Sequence, residues 1–164
     1  MKLFLEESMI RLFRTDESMK LFKVAQPGFF TTVQDLGRHG FLRYGVPVSG
    51  AMDDFSLQLA NMLVRNELTD ACLEVTMLGP ELEALKNTQI AITGGDLSPH
   101  INGQDVNMWQ TLNVSSRDVV SFGKVRSGCR AYLSVTGGIN VPLVLGSRST
   151  YFRGEMGGVE GRRL

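Results

Sequence analysis

The residues best suited to chemistry lie close together in one segment, residues 28–53, which reads GFFTTVQDLGRHGFLRYGVPVSGAMD. The segment combines two acids, two arginines, a glutamine, a histidine, a tyrosine and five glycines. Glycine allows backbone conformations and close approaches that other residues block, and loops of this kind often carry binding and catalytic side chains. We therefore predict that the functional surface lies here.

Gln34, Asp35 and Arg38 stand together at the start of this segment. An acid and an arginine three residues apart across a glycine suit two interpretations. In one, Arg38 binds a carboxylate or phosphate through two N–H groups, while Asp35 orients the ligand or handles a proton. In the other, the two residues form an ion pair that fixes a loop and contributes little to stability. The sequence leaves both interpretations open.

Tyr44 and Asp53 are two further candidates in the segment. Tyr44 either presents its hydroxyl to a ligand or packs as a plug inside the fold. Asp53 stands where a helix is predicted to begin. It either takes part in the site or complements the helix macrodipole, an effect of about 0.3–1 kcal/mol.

A second cluster, GSRST at residues 146–150, is the best candidate for anion binding. Backbone amides next to a glycine, three hydroxyls and the guanidinium of Arg148 match the needs of a phosphate or carboxylate. A solvated turn is the alternative interpretation. The GxxxxGK[ST] phosphate loop is absent from the sequence, so a nucleotide site here is expected to be unconventional.

The composition argues against several classes of function. Seventeen basic residues balance seventeen acidic ones, so bulk charge favours neither nucleic acid nor an anionic membrane as a partner. The apolar runs are shorter than the roughly 20 residues that span a bilayer, and a cytoplasmic location is expected. Cys72 and Cys129 are predicted to be reduced core thiols. His39 and His100 lack metal-ligand spacing, so no metal site is predicted.

One helix is predicted in the chain. Ser49-Gly50 gives it a cap-like start, and Asn66 suits its end because asparagine tolerates the left-handed conformation. Apolar residues recur at helical spacing and are expected to pack in the core. These residues are Met52, Phe55, Leu59, Met62 and Leu63.

The remaining pattern is one of short strands separated by turn residues. The predicted strands are 21–25, 29–33, 72–77, 89–93, 99–101, 104–108, 111–114, 119–122 and 131–135. Asn102-Gly103 predicts a two-residue hairpin, because both turn positions need a positive φ. Many short strands with one helix favour a mainly β fold, a closed or nearly closed barrel.

The two ends of the chain differ from its middle. Residues 1–18 are interpreted as an N-terminal extension, either a frayed end or an amphipathic helix with Leu5, Met9 and Leu12 on its apolar face. The domain proper is predicted to span residues 19–164. From about residue 137 the chain is rich in glycine and arginine, and this tail is expected to have little to fold upon by itself.

Three motifs together resemble one family. In chain order they are VQDLGRHGFLRYGVPVSGAMD, ITGGDL and RAYLSVTGGINVPLVLGSRSTYFRGEMGGVEGR. They resemble the KipA-type family, whose members are called KipA-type 5-oxoprolinase subunits, allophanate hydrolase subunit 2 or the biotin-dependent carboxyltransferase domain of urea carboxylase. The resemblance runs from about Met19 to Leu164. It implies a cyclophilin-like β-barrel fold. It also implies that this chain is the N-terminal part of a two-part subunit.

The resemblance also implies an activity. With a KipI-type partner and a LamB/YcsF-type partner, the chain is expected to form an ATP-dependent 5-oxoprolinase, with ATP and Mg as co-substrate, that opens 5-oxoproline to glutamate. Phosphorylation of the lactam oxygen creates a leaving group, and a cationic cradle would serve that step. The residues assigned to substrate or phosphate binding are Arg38, Tyr44, Arg148, Ser149 and Thr150. Those assigned to catalysis are Gln34, Asp35 and Asp53.

Two alternatives stay open. The first is a carboxyltransferase module that moves a carboxyl group from biotin to a urea-like amide. The second is a non-catalytic regulator that binds a KipI-type kinase inhibitor. The sequence contains neither a biotin carboxylase nor a biotinyl-lysine motif, which favours the 5-oxoprolinase interpretation.

Overall fold

The computed structural model describes residues 9–11 and 20–164. In that part of the chain there are eleven β-strands and one α-helix. The strands are β1 (Met9–Arg11), β2 (Lys20–Gln26), β3 (Phe30–Gln34), β4 (Cys72–Thr76), β5 (Glu81–Ala84), β6 (Thr88–Asp96), β7 (Pro99–Ile101), β8 (Gln104–Asp105), β9 (Thr111–Val114), β10 (Val119–Phe122) and β11 (Ser127–Val135). The helix is α1 (Asp54–Leu63), and short 3-10 turns occur at Leu42–Tyr44 and Phe152–Gly154.

The strands form two antiparallel sheets. The six-stranded sheet has the order β1-β2-β5-β10-β7-β8, and the five-stranded sheet has the order β3-β4-β11-β6-β9. Between the sheets lies one apolar core, to which the first contributes Phe22 and Leu82 and the second Val33, Leu73 and Ile92. The prediction of a mainly β fold with one main helix is confirmed.

The strand predictions agree with the structure except at a few places. The hairpin at Asn102-Gly103 is confirmed: both residues have positive φ, 53° and 76°, and they join β7 to β8. Strand β5 was missed, because Glu81 and Glu83 alternate with Leu82 and Ala84 and reduce the apolar signal. The strand predicted over 104–108 is shorter and ends at residue 105.

The predicted start and end of the helix were wrong. Ser49 and Gly50 both have positive φ, 56° and 87°, which a helix does not allow. Asp53 is the N-cap instead, because its side chain accepts a hydrogen bond from the Ser56 N–H at 3.0 Å. At the other end the helix stops at Leu63, and Arg65 rather than Asn66 takes the left-handed conformation.

The predicted buried face of the helix was also wrong. Met52, Phe55 and Met62 are 70%, 69% and 54% exposed. The residues that α1 buries are Ser56, Leu57, Ala60 and Asn61. Half of these buried residues are polar, which matches the polar face of the sheet beneath them. A prediction based on apolar periodicity alone therefore assigned the wrong face of the helix to the core.

The glycine- and arginine-rich tail is packed against the molecule, contrary to expectation. Strand β3 is an edge of its sheet, and the tail covers that edge. The Thr150 N–H donates to the Val33 carbonyl at 2.9 Å, and the Leu164 N–H donates to the Thr31 carbonyl at 2.9 Å. The tail therefore satisfies backbone groups that an open edge strand would expose.

Three other predictions concern the ends and the cysteines. Within residues 1–18, only residues 9–11 are described, and they form strand β1, antiparallel to β2, instead of a helix; the rest of that prediction lies outside the described residues. Cys72 is buried as expected, but Cys129 is exposed, and both are free thiols. In the described part of the chain, no helix is long and apolar enough to cross a membrane.

Candidate functional site

Asp35 lies just after β3 and is only 7% exposed. Its carboxylate accepts four hydrogen bonds. The Ser147 and Ser149 hydroxyls donate to Oδ1 at 2.6 and 2.5 Å, and the Gly37 N–H donates to the same oxygen at 2.8 Å. The Arg148 N–H donates to Oδ2 at 2.5 Å.

The GSRST cluster therefore binds an anion, and that anion is the carboxylate of Asp35. Burial acts to raise the pKa of Asp35, but the hydrogen bonds from Ser147, Ser149, Arg148 and Gly37 outweigh it and lower the pKa. A carboxylate with four donors and a lowered pKa is a poor proton acceptor. Its hydrogen bonds from Ser147, Arg148 and Ser149 tie the tail to the end of β3.

Arg38 is fully buried, with 1% of its surface exposed. It donates to two tail carbonyls, from Nη2 to Ser149 O and from Nε to Val144 O at 3.4 Å. No direct ion pair joins it to Asp35 among the described contacts. Burial lowers the pKa of Arg38 and the charge of Asp35 opposes that effect. Its Nη1 is buried without a hydrogen-bond partner in the described part of the chain.

Gly157 makes room for this guanidinium. The residue has a φ of +68°, and a Cβ placed on it would overlap the Ser149 carbonyl oxygen and lie 2.7 Å from Arg38 Nη2. Only glycine fits such a position without displacing its neighbours.

Gln34 and Thr150 meet beside the same edge strand. The Gln34 amide Nε2 donates to Thr32 Oγ1 at 3.0 Å and to the Thr150 carbonyl at 3.2 Å. The Thr150 hydroxyl donates to the Val33 carbonyl at 3.0 Å. The Gln34 Oε1 atom is buried and has no partner among the described residues.

Tyr44 and Asp53 are not part of this cluster. Tyr44 is 65% exposed, so it is no plug, and the Arg43 guanidinium lies 4.7 Å from its ring centroid. Asp53 caps α1, and the hydrogen bonds from Ser56 lower its pKa. The structure thus brings together Gln34, Asp35, Arg38, the backbone of Arg148, Ser149 and Thr150, and it leaves Tyr44 and Asp53 outside.

Sequence reasoning missed a second buried polar group, centred on Glu74 in β4. Glu74 Oε2 accepts from the Tyr132 hydroxyl and from the Met52 N–H, both at 2.8 Å, and Oε1 lies 3.3 Å from Arg130 Nε. The Tyr132 oxygen in turn accepts from the Asp53 N–H at 2.8 Å. Burial and the Glu74 charge raise the pKa of Tyr132. A glutamate inside the apolar strand CLEVT was the available signal.

The remaining features are less specific. A cleft of about 580 Å³ is lined by Asn140, Val141, Pro142, Val144 and residues 155–161, and none of the predicted site residues lines it. Among the described residues there is no group of three or more histidine, cysteine, aspartate or glutamate side chains able to hold a metal ion.

Known proteins with similar sequences are named for two activities. The chain is 45% identical over 144 residues to a urea amidolyase of Lachancea kluyveri, covering 87% of this chain and 8% of that protein. It is 36% identical over 144 residues to a 5-oxoprolinase subunit of Escherichia coli, covering 88% and 46%. The chain therefore spans less than half the length of these relatives, which are an enzyme and one component of an enzyme.

A solved structure and a family model complete the comparison. The crystal structure of the K. lactis urea amidolyase matches with a TM-score of 0.85 at 48% identity, covering 88% of this chain and 9% of that one. Residues 44–164 match the model of the carboxyltransferase domain, subdomain A and B. On these matches and those to the curated relatives, the chain belongs to the carboxyltransferase domain A and B family, to which its resemblance to KipA-type proteins pointed.

Proposed function

We propose that the chain is part of an enzyme that acts on the amide group of a small molecule. Urea and 5-oxoproline, for which its relatives are named, share a carbonyl carbon bonded to nitrogen. The observation that carries the proposal is the 45% identity to a urea amidolyase over 87% of this chain. That alignment is long enough to include most of the chain's motifs.

The first candidate is carboxyl transfer to urea. The identities to urea amidolyases, 45% and 44%, exceed the 36% and 32% to 5-oxoprolinase subunits. The missing biotinyl-lysine motif, which favoured 5-oxoproline at first, carries little weight. Because the chain corresponds to 8% of the urea amidolyase, a biotin-bearing lysine would lie elsewhere in such an enzyme.

The second candidate is the opening of 5-oxoproline to glutamate, with ATP and Mg as co-substrate and KipI-type and LamB/YcsF-type proteins as partners. It is supported by the match to 46% of the length of a 5-oxoprolinase subunit. A regulator that binds a KipI-type kinase inhibitor without turnover is the non-catalytic form of this candidate. Either activity fits a cytoplasmic location.

The 146–150 loop does not fit the phosphate of ATP. The Ser147 and Ser149 hydroxyls donate their hydrogen bonds to the Asp35 carboxylate. The Arg148 N–H also donates to that carboxylate. The Thr150 N–H and hydroxyl both donate to Val33. We therefore assign no phosphate-transfer step to this loop and give Asp35, Arg38, Ser149 and Thr150 the role of holding the tail on β3.

The decisive experiment compares the two substrates under matched conditions. The chain, within its full-length enzyme or mixed with its partner subunits, is assayed for ATP hydrolysis that depends on urea with bicarbonate or on 5-oxoproline. Urea-dependent turnover alone supports the first candidate, and 5-oxoproline-dependent turnover alone supports the second. Stable complex formation with neither turnover would contradict both and favour the regulator.

A matched pair of variants tests whether Arg148 contacts the ligand. Arg148 is half-buried and its Nε has no hydrogen-bond partner among the described residues, so its guanidinium has hydrogen-bonding capacity left for a ligand. Arg148→Ala is expected to lower turnover, whereas Arg153→Ala, an exposed arginine of the same tail, should not. Equal turnover of the two variants would remove Arg148 from the site.

A further inference from the structure

The five-stranded sheet has a second face, opposite the apolar core, that is buried and polar. Side chains alternate between the two faces along a strand. Thr32 of β3 is paired with Glu74 of β4, Glu74 with Tyr132 of β11, and Tyr132 with Thr93 of β6. These four residues therefore form one row across the sheet. The same face continues with Gln34, Thr76 and Arg130, each two residues from a member of the row.

Helix α1 covers mainly one side of this face. It packs against β6 and β11, where the Thr93 hydroxyl donates to the Ser56 carbonyl at 2.7 Å. Cys72 of β4 clusters with Leu57 and Ala60 of the helix, and the Met52 N–H donates to Glu74 Oε2 at 2.8 Å, so the side formed by β3 and β4 is partly covered as well. There, Gln34 and Glu74 are 6% and 5% exposed, whereas Thr76 and Arg130 are half-buried. The polar face is thus deep at one end and open to solvent at the other.

Two groups on this side have unused hydrogen-bonding capacity. Gln34 Oε1 is a buried acceptor without a partner in the described part of the chain. Arg130 uses Nε for Thr76 and Glu74, at 3.4 and 3.3 Å, and its two terminal nitrogens make no hydrogen bond to a described residue. A buried acceptor left without a partner is rare in native proteins and suggests a ligand or water.

The side chains of Gln34 and Arg130 approach the same pair of residues, through the nitrogens that already have partners. The Gln34 amide lies 3.0 Å from Thr32 Oγ1, and Arg130 Nε lies 3.3 Å from Glu74 Oε1. Thr32 and Glu74 are directly opposite each other in the sheet, which places their side chains about 5 Å apart. Gln34 and Arg130 therefore reach this pair from its two sides.

We propose that this face is the binding site for the amide group of the substrate. A ligand N–H donates to Gln34 Oε1, and the ligand carbonyl oxygen accepts from a terminal nitrogen of Arg130. Glu74 and Tyr132 are positioning residues, because they hold Arg130 and the Met52–Asp53 backbone in place. The substrate class rests on the proposed function, whereas the site rests on the contacts above.

The electrostatics of the site suit a small neutral ligand. The Glu74 carboxylate largely balances the Arg130 guanidinium at 3.3 Å, so little net charge is left to attract an anion. Urea, which is neutral and carries both N–H donors and a carbonyl acceptor, matches this arrangement directly. 5-Oxoproline has the same amide group and, in addition, a carboxylate. That carboxylate would have to accept hydrogen bonds from the terminal nitrogens of Arg130.

The test follows the side-chain amide signal of Gln34 by NMR in the ¹⁵N-labelled chain during titration with urea, at concentrations well below those that unfold proteins. We expect a saturable shift. Arg130→Met should weaken the apparent affinity about tenfold, the factor given by 1.4 kcal/mol. Arg126→Met is the matched control, since Arg126 is exposed and contacts Asp96 and Asp105 away from this face; it should bind normally.

A second variant guards against a folding defect. Arg130→Lys keeps the positive charge but removes the terminal N–H pair, and it should also weaken binding while its melting temperature stays near that of the parent. An unsaturable shift, or equal affinity of the Arg130→Met and Arg126→Met variants, would overturn the proposal.

Turnover separates this proposal from the proposed function. If the complete enzyme turns over urea or 5-oxoproline and Arg130→Met leaves kcat/KM unchanged, the site is wrong and the function stands. If urea binds at Gln34 but neither substrate is turned over, the function is wrong and the site stands.

Discussion

At the residue scale, the main lesson is that an anion-binding sequence can serve an anion of its own chain. Serine hydroxyls of the GSRST cluster donate their hydrogen bonds to the Asp35 carboxylate. Arg38, beside them, is buried and donates to a tail carbonyl. A hydrogen bond to a charged group contributes about 1.5–3 kcal/mol net to stability. The cluster is therefore best understood as a fastening between β3 and the tail.

Asp35→Asn tests this fastening. The variant keeps the shape but loses the charge and turns one acceptor into a donor facing donors, so we expect it to be about 1–3 kcal/mol less stable at neutral pH. Because the folded pKa of Asp35 is lowered from 3.8, its stabilising effect is present above that value and lost as the pH falls through the folded pKa. Denaturant unfolding at several pH values measures both effects.

The control for Asp35→Asn is Asp54→Asn, at an exposed aspartate of the same region. It should change stability little. A similar loss in both variants, or a difference between parent and Asp35→Asn that grows as the pH falls below 3.8, would contradict the fastening role.

Gly157→Ala tests the space around Arg38. The alanine would have an unfavourable positive φ and would also press on Ser149 and on Arg38. Gly146→Ala is the matched control, since Gly146 has a φ of +79° but nothing within 4 Å of its Cβ position. Both variants bear the backbone cost of roughly 1–3 kcal/mol, and Gly157→Ala should be clearly less stable than Gly146→Ala in thermal unfolding. Equal stability of the two variants would show that the residues around Arg38 can move to accommodate the added methyl group.

At the element scale, helix α1 shows how the partner surface selects the buried face. Its inner residues are small or polar, and they match a polar sheet face: the Ser134 hydroxyl donates to Asn61 Oδ1 at 2.7 Å, and Leu57 and Ala60 pack on Tyr132. The large apolar residues Phe55 and Met62 are left outside. A hydrophobic pattern indicates that a helix is present, but not which face the neighbouring sheet will accept.

Asp53→Ala tests the start of this helix. Removal of an N-cap side chain typically costs about 0.5–2 kcal/mol, and the hydrogen bonds from Ser56 N and Oγ, at 3.0 and 2.6 Å, would be lost. Asp54→Ala, one residue into the helix, should have a smaller effect. Chemical denaturation of the two variants checks the order, and the reverse order would place the cap elsewhere.

At the scale of the whole molecule, the tail completes the five-stranded sheet. Thr150 and Leu164 bond to alternate residues of β3, and Leu164 is buried in the shared core. Asp35, just beyond β3, fastens the tail at residues 147–149. The core and the tail should therefore unfold together.

The two thiols report on this cooperativity. Cys129 is exposed and should react with a thiol reagent at once, whereas Cys72 is buried and its pKa is raised mainly by that burial. We expect one fast-reacting thiol per native chain and two in denaturant. Cys129→Ser should abolish the fast reaction, and Asp35→Asn should accelerate the slow one. Two fast thiols in the parent chain would show that the fold opens around β4.

Local patterns in the sequence were enough to predict most of the strands, the hairpin at Asn102-Gly103, the presence of one helix and the family. These features depend on local properties: alternation of side chains, positive φ in turns, and motifs long enough to be specific. The sequence also marked Gln34, Asp35, Arg38 and the 146–150 cluster as polar residues in unusual settings. These features can be predicted from sequence because each depends on residues that are close together along the chain.

The partners that those residues meet depend on the tertiary structure. Asp35 and Ser149 are 114 positions apart, and nothing local shows that one fills the hydrogen-bonding capacity of the other. Glu74, Tyr132 and Arg130 form one group because β4 and β11 are paired in a particular register. A polar side chain becomes a ligand-binding group or a structural one according to which partners the fold brings to it, and those partners are set by the packing of distant strands.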